Sequence, residues 1–341
     1  MSQAKDVIHS TIGELLSIQW KKESTMKINN FQYRPDFEAE VTIGNKKQRL
    51  LIEVKNSGEP MIIAQLASYA QLIWDKFPDT YLVLVAPFVS SRGRDFCKEL
   101  GIGFIDLEGN AFIRFDGVLI ERFGKQSDKK EKRLQRKLFT TKSTWIMRKM
   151  LAEPKRTWTT QDLADAANVS LGMVYKATEK LMAEGYMDKA RGAISLQNPG
   201  ELLDAWREIY HYKDQEATGY YSPIETREDL YKRLRRLSGS SYALTLGAGA
   251  SLAAPFVRST DTHLYIDTDF EELRKALDLT PVEFGGNVYI VVPSDKGVLF
   301  DTQTINMVTV VSNLQLYLDL YNYPQRGREQ ADFLRGEKMK I

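Results

Sequence analysis

Residues 169–186 read Val169-Ser-Leu-Gly-Met-Val-Tyr-Lys-Ala-Thr-Glu-Lys-Leu-Met-Ala-Glu-Gly-Tyr186. Ser170 is a helix-capping residue type and Gly185 a helix stop. Between them Val174, Ala177 or Thr178, and Leu181 recur at helical spacing, which predicts a helix to about Glu184 with one apolar face. Ser170, Tyr175, Lys176 and Lys180 fall on the open face. Upstream, Thr144–Leu151 reads as a helix and Thr157–Thr160 as a short extended stretch, with Thr160 capping a helix over Gln161–Ala167. Downstream, Tyr186–Leu196 contains a hairpin whose turn is Arg191-Gly192. The order across residues 143–198 is helix, helix, helix, hairpin.

The 169–186 phrase in that setting resembles the recognition helix of bacterial winged-helix regulators. The resemblance implies a central winged helix-turn-helix that binds double-stranded DNA, its helix entering a major groove about 12 Å wide. Ser170, Tyr175, Lys176 and Lys180 are then the DNA-facing residues, and Lys189 and Arg191 on the wing reach the flanking backbone. A winged helix used for protein contacts alone is the competing reading. Just before it, Lys125–Lys149 carries Lys125, Lys129, Lys130, Lys132, Arg133, Arg136, Lys137, Lys142, Arg148 and Lys149 against Asp128 and Glu131. This stretch reads either as a solvated basic linker, centred on 125–142, or as a strip meeting phosphates, where such side chains release counterions.

Residues 1–124 alternate strand and helix patterns, which predicts an α/β domain with a mixed sheet. Asp6–Ile18 has helical spacing. Phe37–Ile43 and Arg49–Val54 read as strands joined at Gly44-Asn45. Ile62–Trp74 reads as a helix, Tyr81–Pro87 as a buried strand, Ser91–Leu100 as a helix, and Ile102–Asp106 and Ala111–Phe115 as strands. Pro35-Asp36 opens one strand of the first pair and Glu53-Val54-Lys55 closes the other. Glu53 and Lys55, two apart, share a face, and a hairpin brings Asp36 beside them. Two carboxylates and a lysine so placed can hold Mg2+ or Mn2+ and activate a water against a phosphodiester. Gln65 and Tyr69 on the next helix can face the same cleft, and Glu14 is a further carboxylate.

This arrangement resembles the PD-(D/E)xK nuclease superfamily over about 100 residues. Asp36, Glu53 and Lys55 match its three core positions, with Asp36 and Glu53 as the implied metal ligands, and Gln65 fits a position often polar there. A salt-bridged pair at a strand end, or a nuclease fold kept as a scaffold, accounts for the same residues. Asp106-Leu-Glu-Gly-Asn110 reads as a turn whose carboxylates can also line that edge.

Residues 199–341 mix strands (His263–Asp267, Val288–Pro293, Val308–Val311) with helices, an α+β domain, and Leu314–Leu320 begins a last helix. Gly247 and Gly249 lack the lysine and hydroxyl residue a phosphate loop needs. The phrase Ser241-Tyr-Ala-Leu-Thr-Leu-Gly-Ala-Gly-Ala-Ser-Leu-Ala-Ala-Pro-Phe256 resembles the C-terminal domain of AbiEi-type antitoxins. So do Val311-Ser-Asn-Leu-Gln-Leu-Tyr-Leu-Asp-Leu320 and Arg326-Gly-Arg-Glu-Gln-Ala331. The resemblance implies promoter binding through a winged helix and a nucleotidyltransferase-like toxin as partner. A nuclease-like N-terminal domain departs from the short form of that family, and a phage-defence protein reusing the module is a second possibility. The basic residues Arg227, Lys232, Arg233, Arg235, Arg236 and Arg258 either add DNA or partner contacts or form a solvated helix.

Composition narrows the class. The 341 residues carry 47 basic and 45 acidic side chains, net +2, so bulk charge does not decide for nucleic acid. Cys97 is the sole cysteine, which excludes a disulfide framework and a cysteine zinc cluster. His9, His211 and His263 lack metal-ligand spacing. No apolar run approaches the ~18 residues of a membrane span, and the N-terminus lacks a signal-peptide core. A cytoplasmic protein with no membrane partner is expected. The sequence favours a DNA-binding transcriptional regulator, an antitoxin-like repressor; the alternative is a magnesium-dependent endonuclease targeted by the winged helix. A two-fold operator would favour a homodimer.

Overall fold

The computed structural model describes all residues except 1, 14–15, 22–24, 29–30, 45, 116, 125–126, 238–241, 268–269 and 340. The chain divides into two compact units, Met1–Leu138 with Thr178–Asp188, and Phe139–Ala177 with Lys189–Ile341.

In the first unit α1 (Ser2–Ile8) passes into a π-helical turn, His9–Gly13, and then β1 (Ser17–Trp20). The helix expected over Asp6–Ile18 thus stops short. Ser17–Trp20 pairs antiparallel with the strand that contains Ala39–Thr42, so ladder hydrogen bonds override the helical spacing there. β2 (Met26–Ile28) and β3 (Phe31–Tyr33) form a two-stranded sheet. The chain continues as β4 (Phe37–Ile43), β5 (Lys46–Val54), α2 (Pro60–Lys76), β6 (Thr80–Ala86), α3 (Ser91–Glu99), β7 (Gly103–Asp106), β8 (Ala111–Phe115), β9 (Val118–Arg122) and α4 (Ser127–Leu138).

The sheet runs β1-β4-β5-β6-β7-β8-β9. Its β5–β6 and β6–β7 pairs are parallel, with α2 and α3 as the crossovers, and the flanking pairs are antiparallel. Alternation along β5 and β6 sorts side chains to two cores. Leu50, Ile52, Val83 and Val85 pack with Ile8 and Ile12; Leu51, Leu82 and Leu84 pack with Ile63, Leu66 and Ile73 of α2. Each such fully buried aliphatic side chain contributes about 1.5–3 kcal/mol. The same alternation sets Glu53 on the α2 side of the sheet.

The second unit begins with α5 (Thr141–Ala152) and α6 (Thr160–Ala167). α7 (Leu171–Ala183), within which the division of the units falls, leads to β10 (Met187–Ala190) and β11 (Ala193–Leu196). Then come α8 (Pro199–Ile209), β12 (Ala217–Tyr221), α9 (Arg227–Leu234), β13 (Tyr242–Thr245), α10 (Leu246–Ala253), β14 (Thr262–Ile266), α11 (Glu271–Ala276), β15 (Thr280–Pro281), β16 (Val288–Val291), β17 (Gln303–Ile305), β18 (Val308–Val310), α12 (Asn313–Tyr321) and α13 (Gly327–Lys338). A helix therefore follows the one expected to be last. The second sheet runs β15-β12-β16-β14-β13-β18-β17. Gly249 of α10 explains the small-residue run: a Cβ there would stand 2.8 Å from Leu316 and 3.0 Å from the Leu244 carbonyl, so only glycine lets the helix lie this close. Among the described residues no helix is long and apolar enough to cross a membrane.

Candidate nucleic-acid interface and carboxylate cluster

α6 starts with a capping box in which Thr159, not Thr160, is the cap. Its hydroxyl accepts from Asp162 N while the Asp162 carboxylate accepts from Thr159 N. The helix ends at Asn168 in the left-handed region (φ 50°). The Ser170 hydroxyl, two residues on, accepts from Met173 N at 3.3 Å in the first turn of α7.

On α7 the residues Val174, Ala177, Thr178 and Leu181 are buried, while Leu171, Gly172, Tyr175, Lys176, Glu179 and Lys180 are exposed. One face is thus core and the other open, as the spacing required. Tyr175 is 60% exposed, a large ring left at the surface. The β10–β11 turn has both central residues at positive φ, Arg191 at 51° and Gly192 at 87°, the backbone that a two-residue hairpin of type I′ demands. β11 is tied to the stretch before α6, since Trp158 N donates to Ile194 O at 2.8 Å and Ile194 N to Trp158 O at 2.7 Å. All six residues expected to face DNA, Ser170, Tyr175, Lys176, Lys180, Lys189 and Arg191, are exposed.

The basic stretch splits in two. On α4, Lys129, Lys132, Arg133, Arg136 and Lys137 are exposed, and the Lys180 ammonium donates to the Lys137 carbonyl at 3.2 Å. On α5 the pattern is different. Lys142 lies 3.2 Å from the centre of the Trp145 ring, Lys149 pairs with Asp301 at 2.5 Å, and Arg148 is buried with its guanidinium 5.0 Å from the Trp206 ring. Arg148 is therefore removed from any phosphate-facing strip, because α5 buries nearly its whole circumference. The basic residues of α9 and of its C-cap are also engaged: Lys232 with Asp229, Arg233 with Asp278, Arg235 with Glu228, and Arg227 with the Ser259 carbonyl.

At the end of β5 the first unit gathers Tyr33, Asp36, Glu53 and Lys55. Glu53 is 4% exposed and both its oxygens are used. Oε1 accepts from the Tyr33 hydroxyl at 2.7 Å and Oε2 from the Lys55 ammonium at 2.6 Å. Asp36, one residue before β4, accepts from Val54 N at 2.7 Å through Oδ2. Tyr69 on α2 lies with its ring 5.3 Å from that of Tyr33. Burial first, then the Glu53 and Asp36 charges, push both phenols well above the usual tyrosine range. The expected trio of Asp36, Glu53 and Lys55 is thus assembled. Tyr33 joins it from a strand twenty residues earlier, which no motif or spacing marks. Gln65 is exposed on α2, one turn before Tyr69. Glu14 lies outside the described residues.

As a metal site this donor set fits poorly. Both oxygens of one carboxylate are taken by a phenol and an ammonium, and a backbone amide holds the other. Among the described residues no third acidic, cysteine or histidine side chain joins them to make a metal-holding group. Asp106 makes no such contribution: fully buried, it accepts from Val89, Glu108 and Asn110 backbone amides and from the Asn110 side chain, which makes it the organiser of its own turn.

A polar centre in the second unit has no counterpart in the sequence reading. Asp319 of α12, fully buried, accepts from Thr245, from the Tyr210 and Tyr265 hydroxyls at 2.8 and 3.0 Å, and from Gln315 at 2.7 Å. Burial nevertheless raises its carboxyl to about 6. Gln315 and Asp319, four apart, were findable as a helical pair; Tyr210, Thr245 and Tyr265 come from three other elements.

No curated protein matches the chain. Among solved structures, one described as "Structure of EndoMS in apo form" aligns with 31% of this chain and 45% of its own, at 16% identity and a TM-score of 0.23, which is too low to speak to fold or function. Residues 195–340, a little under half of the chain, match the AbiEi_2 family model, described as "Transcriptional regulator, AbiEi antitoxin, Type IV TA system".

Proposed function

We propose that this chain is a DNA-binding transcriptional regulator of the antitoxin type, and that residues 143–198 act as a winged helix-turn-helix. α7 is the recognition helix, read through Ser170, Tyr175, Lys176 and Lys180, and the β10–β11 hairpin is the wing, with Lys189 and Arg191 on the flanking backbone. The observation that carries this reading is the open face of α7, which presents a tyrosine and two lysines opposite a fully buried apolar face. The family match of residues 195–340 supports it independently. The exposed lysines and arginines of α4 extend the cationic surface along the first unit's end of α7. A homodimer on a two-fold operator is the assembly this reading favours, with a nucleotidyltransferase-like toxin as protein partner.

The test is fluorescence anisotropy with a labelled duplex from the chain's own promoter and a scrambled duplex of equal length. Tighter binding to the promoter, by tenfold or more at about 150 mM salt, supports the proposal. Equal weak binding to both removes the regulator reading.

The alternative endonuclease would draw on Asp36, Glu53 and Lys55, which stand together at one end of the sheet as a nuclease centre would require. Their internal pairing weighs against it. A carboxylate held on both oxygens by Tyr33 and Lys55 is what a scaffold would show.

A further inference from the structure

β9 closes one end of the first sheet and pairs with β8 alone, so one row of its backbone N–H and C=O groups points away from the sheet. Such edges are ordinarily guarded by proline, brevity or polar side chains. The second sheet follows that rule: β15 has two residues, one of them Pro281, and β17 has three. At the far end of the first sheet, β1 exposes Ser17 and Gln19. β9 has five residues and no proline, and it exposes Leu119, with Phe123 just beyond it, at 64% and 66%.

These two apolar side chains share a face. Glu121 between them pairs with Lys98 of α3 at 2.6 Å, and the same ammonium lies 5.1 Å from the centre of the Phe112 ring and 5.8 Å from that of Phe123. Leu119, Glu121 and Phe123 therefore stand on the α3 side, while Ile120 is buried in the core on the other side. Beside Leu119 lies an open groove of about 590 Å3, lined by Tyr81, Phe112, Arg114, Phe115, Gly117 and Leu119 among others. A Cβ on Gly117 would meet nothing within 4 Å, so the groove floor there is bare.

The strand is complementary to itself in one register. A two-fold axis normal to the sheet keeps each face on its own side and runs the two copies antiparallel. With the axis at Ile120, Leu119 stands opposite Glu121 of the second copy, Val118 opposite its Arg122, and Gly117 opposite its Phe123. The phenyl ring of one copy then covers the bare glycine in the aromatic groove of the other. Arg114, paired with Leu119 across β8–β9, reaches past it to the opposing Glu121. Moving the axis to Glu121 sets two glutamates against each other, which is unfavourable. Moving it to Leu119 carries Phe123 past Gly117.

We propose that β9 is a homodimer interface, joining two copies of this chain edge to edge into one continuous sheet with its two-fold axis at Ile120. The interface rests on the geometry of the first unit alone and forms without DNA, so it stands or falls separately from the regulator reading. Two short strands bury less than the ~800 Å2 per partner of a standard interface. The dimer is accordingly weak, with a dissociation constant on the order of 10 μM.

The test is sedimentation velocity of the full chain without DNA, from about 1 to 200 μM. A monomer–dimer equilibrium is expected. Phe123→Ser and Arg114→Glu change exposed side chains, so both variants should keep the wild-type circular dichroism, and each should weaken the dimer about tenfold or more. The register is read by mild oxidation, since the native Cys97 is buried. Leu119→Cys/Glu121→Cys should give a disulfide-linked dimer on a non-reducing gel, and Leu119→Cys/Phe123→Cys should not. A chain that stays monomeric throughout overturns the proposal, whether the edge is left bare or kept for a different protein. A dimer that neither Phe123→Ser nor Arg114→Glu weakens also overturns it, because the copies then meet elsewhere. Cross-linking of the second cysteine pair in place of the first overturns the register.

Discussion

Replacing Lys176 and Lys180 together by alanine separates a recognition helix from an ordinary solvated one. Both side chains are exposed, and neither supports the buried row Val174, Ala177 and Leu181, so the fold should hold to within about 0.5 kcal/mol. Alanine is also the best helix former. If each ammonium neutralises one phosphate, each contributes about 0.9 to the slope of log affinity against log salt concentration. Two contacts contribute about 1.8. From 50 to 200 mM salt, a fourfold change, they account for a loss of roughly 12-fold, since 4 raised to 1.8 is about 12. The double variant should bind more weakly at 50 mM and then lose about 12-fold less than the wild type over that range. Lys180 is held by the Lys137 carbonyl, so Lys176 should carry the larger share. The assay is anisotropy at four salt concentrations on promoter and scrambled duplexes. Tyr175→Ala is the complementary probe: a base-edge contact should relax sequence preference and leave the slope alone. A slope unchanged in the double variant would refute the assignment of α7 to the groove.

Other consequences are more local. Supercoiled plasmid incubated with Mg2+ or Mn2+ should stay intact, read on an agarose gel; nicking by the wild type that disappears in Glu53→Ala would show that the Tyr33–Glu53–Lys55 pairing opens for catalysis. Glu184, buried and donated to by Ser90 at 3.2 Å, has its carboxyl pushed to about 7, by burial first and the Glu59 charge second. The fold holds the proton more tightly than the unfolded chain, so this group's contribution is full below pH ~4.5 and is lost as pH rises through 7, on the order of 3 kcal/mol. Thermal melts of Glu184→Gln from pH 4.5 to 8 should therefore be flatter than those of the wild type; superimposable profiles would place the titration elsewhere. Asp319→Ala strands the Thr245, Tyr210, Tyr265 and Gln315 donors and should cost about 3 kcal/mol or more in urea denaturation. A loss under about 1 kcal/mol would mean that these groups find other partners.

What the sequence disclosed tracks the range over which its signals act. Period-two alternation put Glu53 and Lys55 on one side of β5, and the β4–β5 register, with Phe37 opposite Ile52, brought Asp36 to them. Helical spacing separated Val174 and Leu181 from Tyr175 and Lys176. These are patterns a dozen residues long or less, joined by one hairpin. The errors arose where a tertiary contact outweighed the local pattern. Ser17 and Ile18 close the stretch read as helical yet pair with β4, because ladder partners are not visible from one strand. Thr159 and Thr160 are alike as caps, and only Asp162, three residues after Thr159, distinguishes them.

Arg148 shows the deeper limit. In a run of lysines and arginines it reads as one more surface cation, and its neighbours on α5 give the opposite clue: Ile146, Met147, Met150 and Leu151 are all buried with it. A helix apolar nearly all round is a buried helix, and a basic residue inside one needs a partner or a ring to stack on. Arg148 is stacked on Trp206 from α8, faces Asp295 and Asp319 from two further elements, and has two nitrogens left over. Tyr33 at Glu53, and Tyr210 and Tyr265 at Asp319, follow the same rule. Buried charges need partners, and the partners are recruited from distant segments whose sequences show an ordinary tyrosine or threonine. Composition could locate the cationic surface of α4 and α7. It could not tell that one arginine of the same run had been turned inward, where the cost of its burial makes it the most informative residue of the second unit.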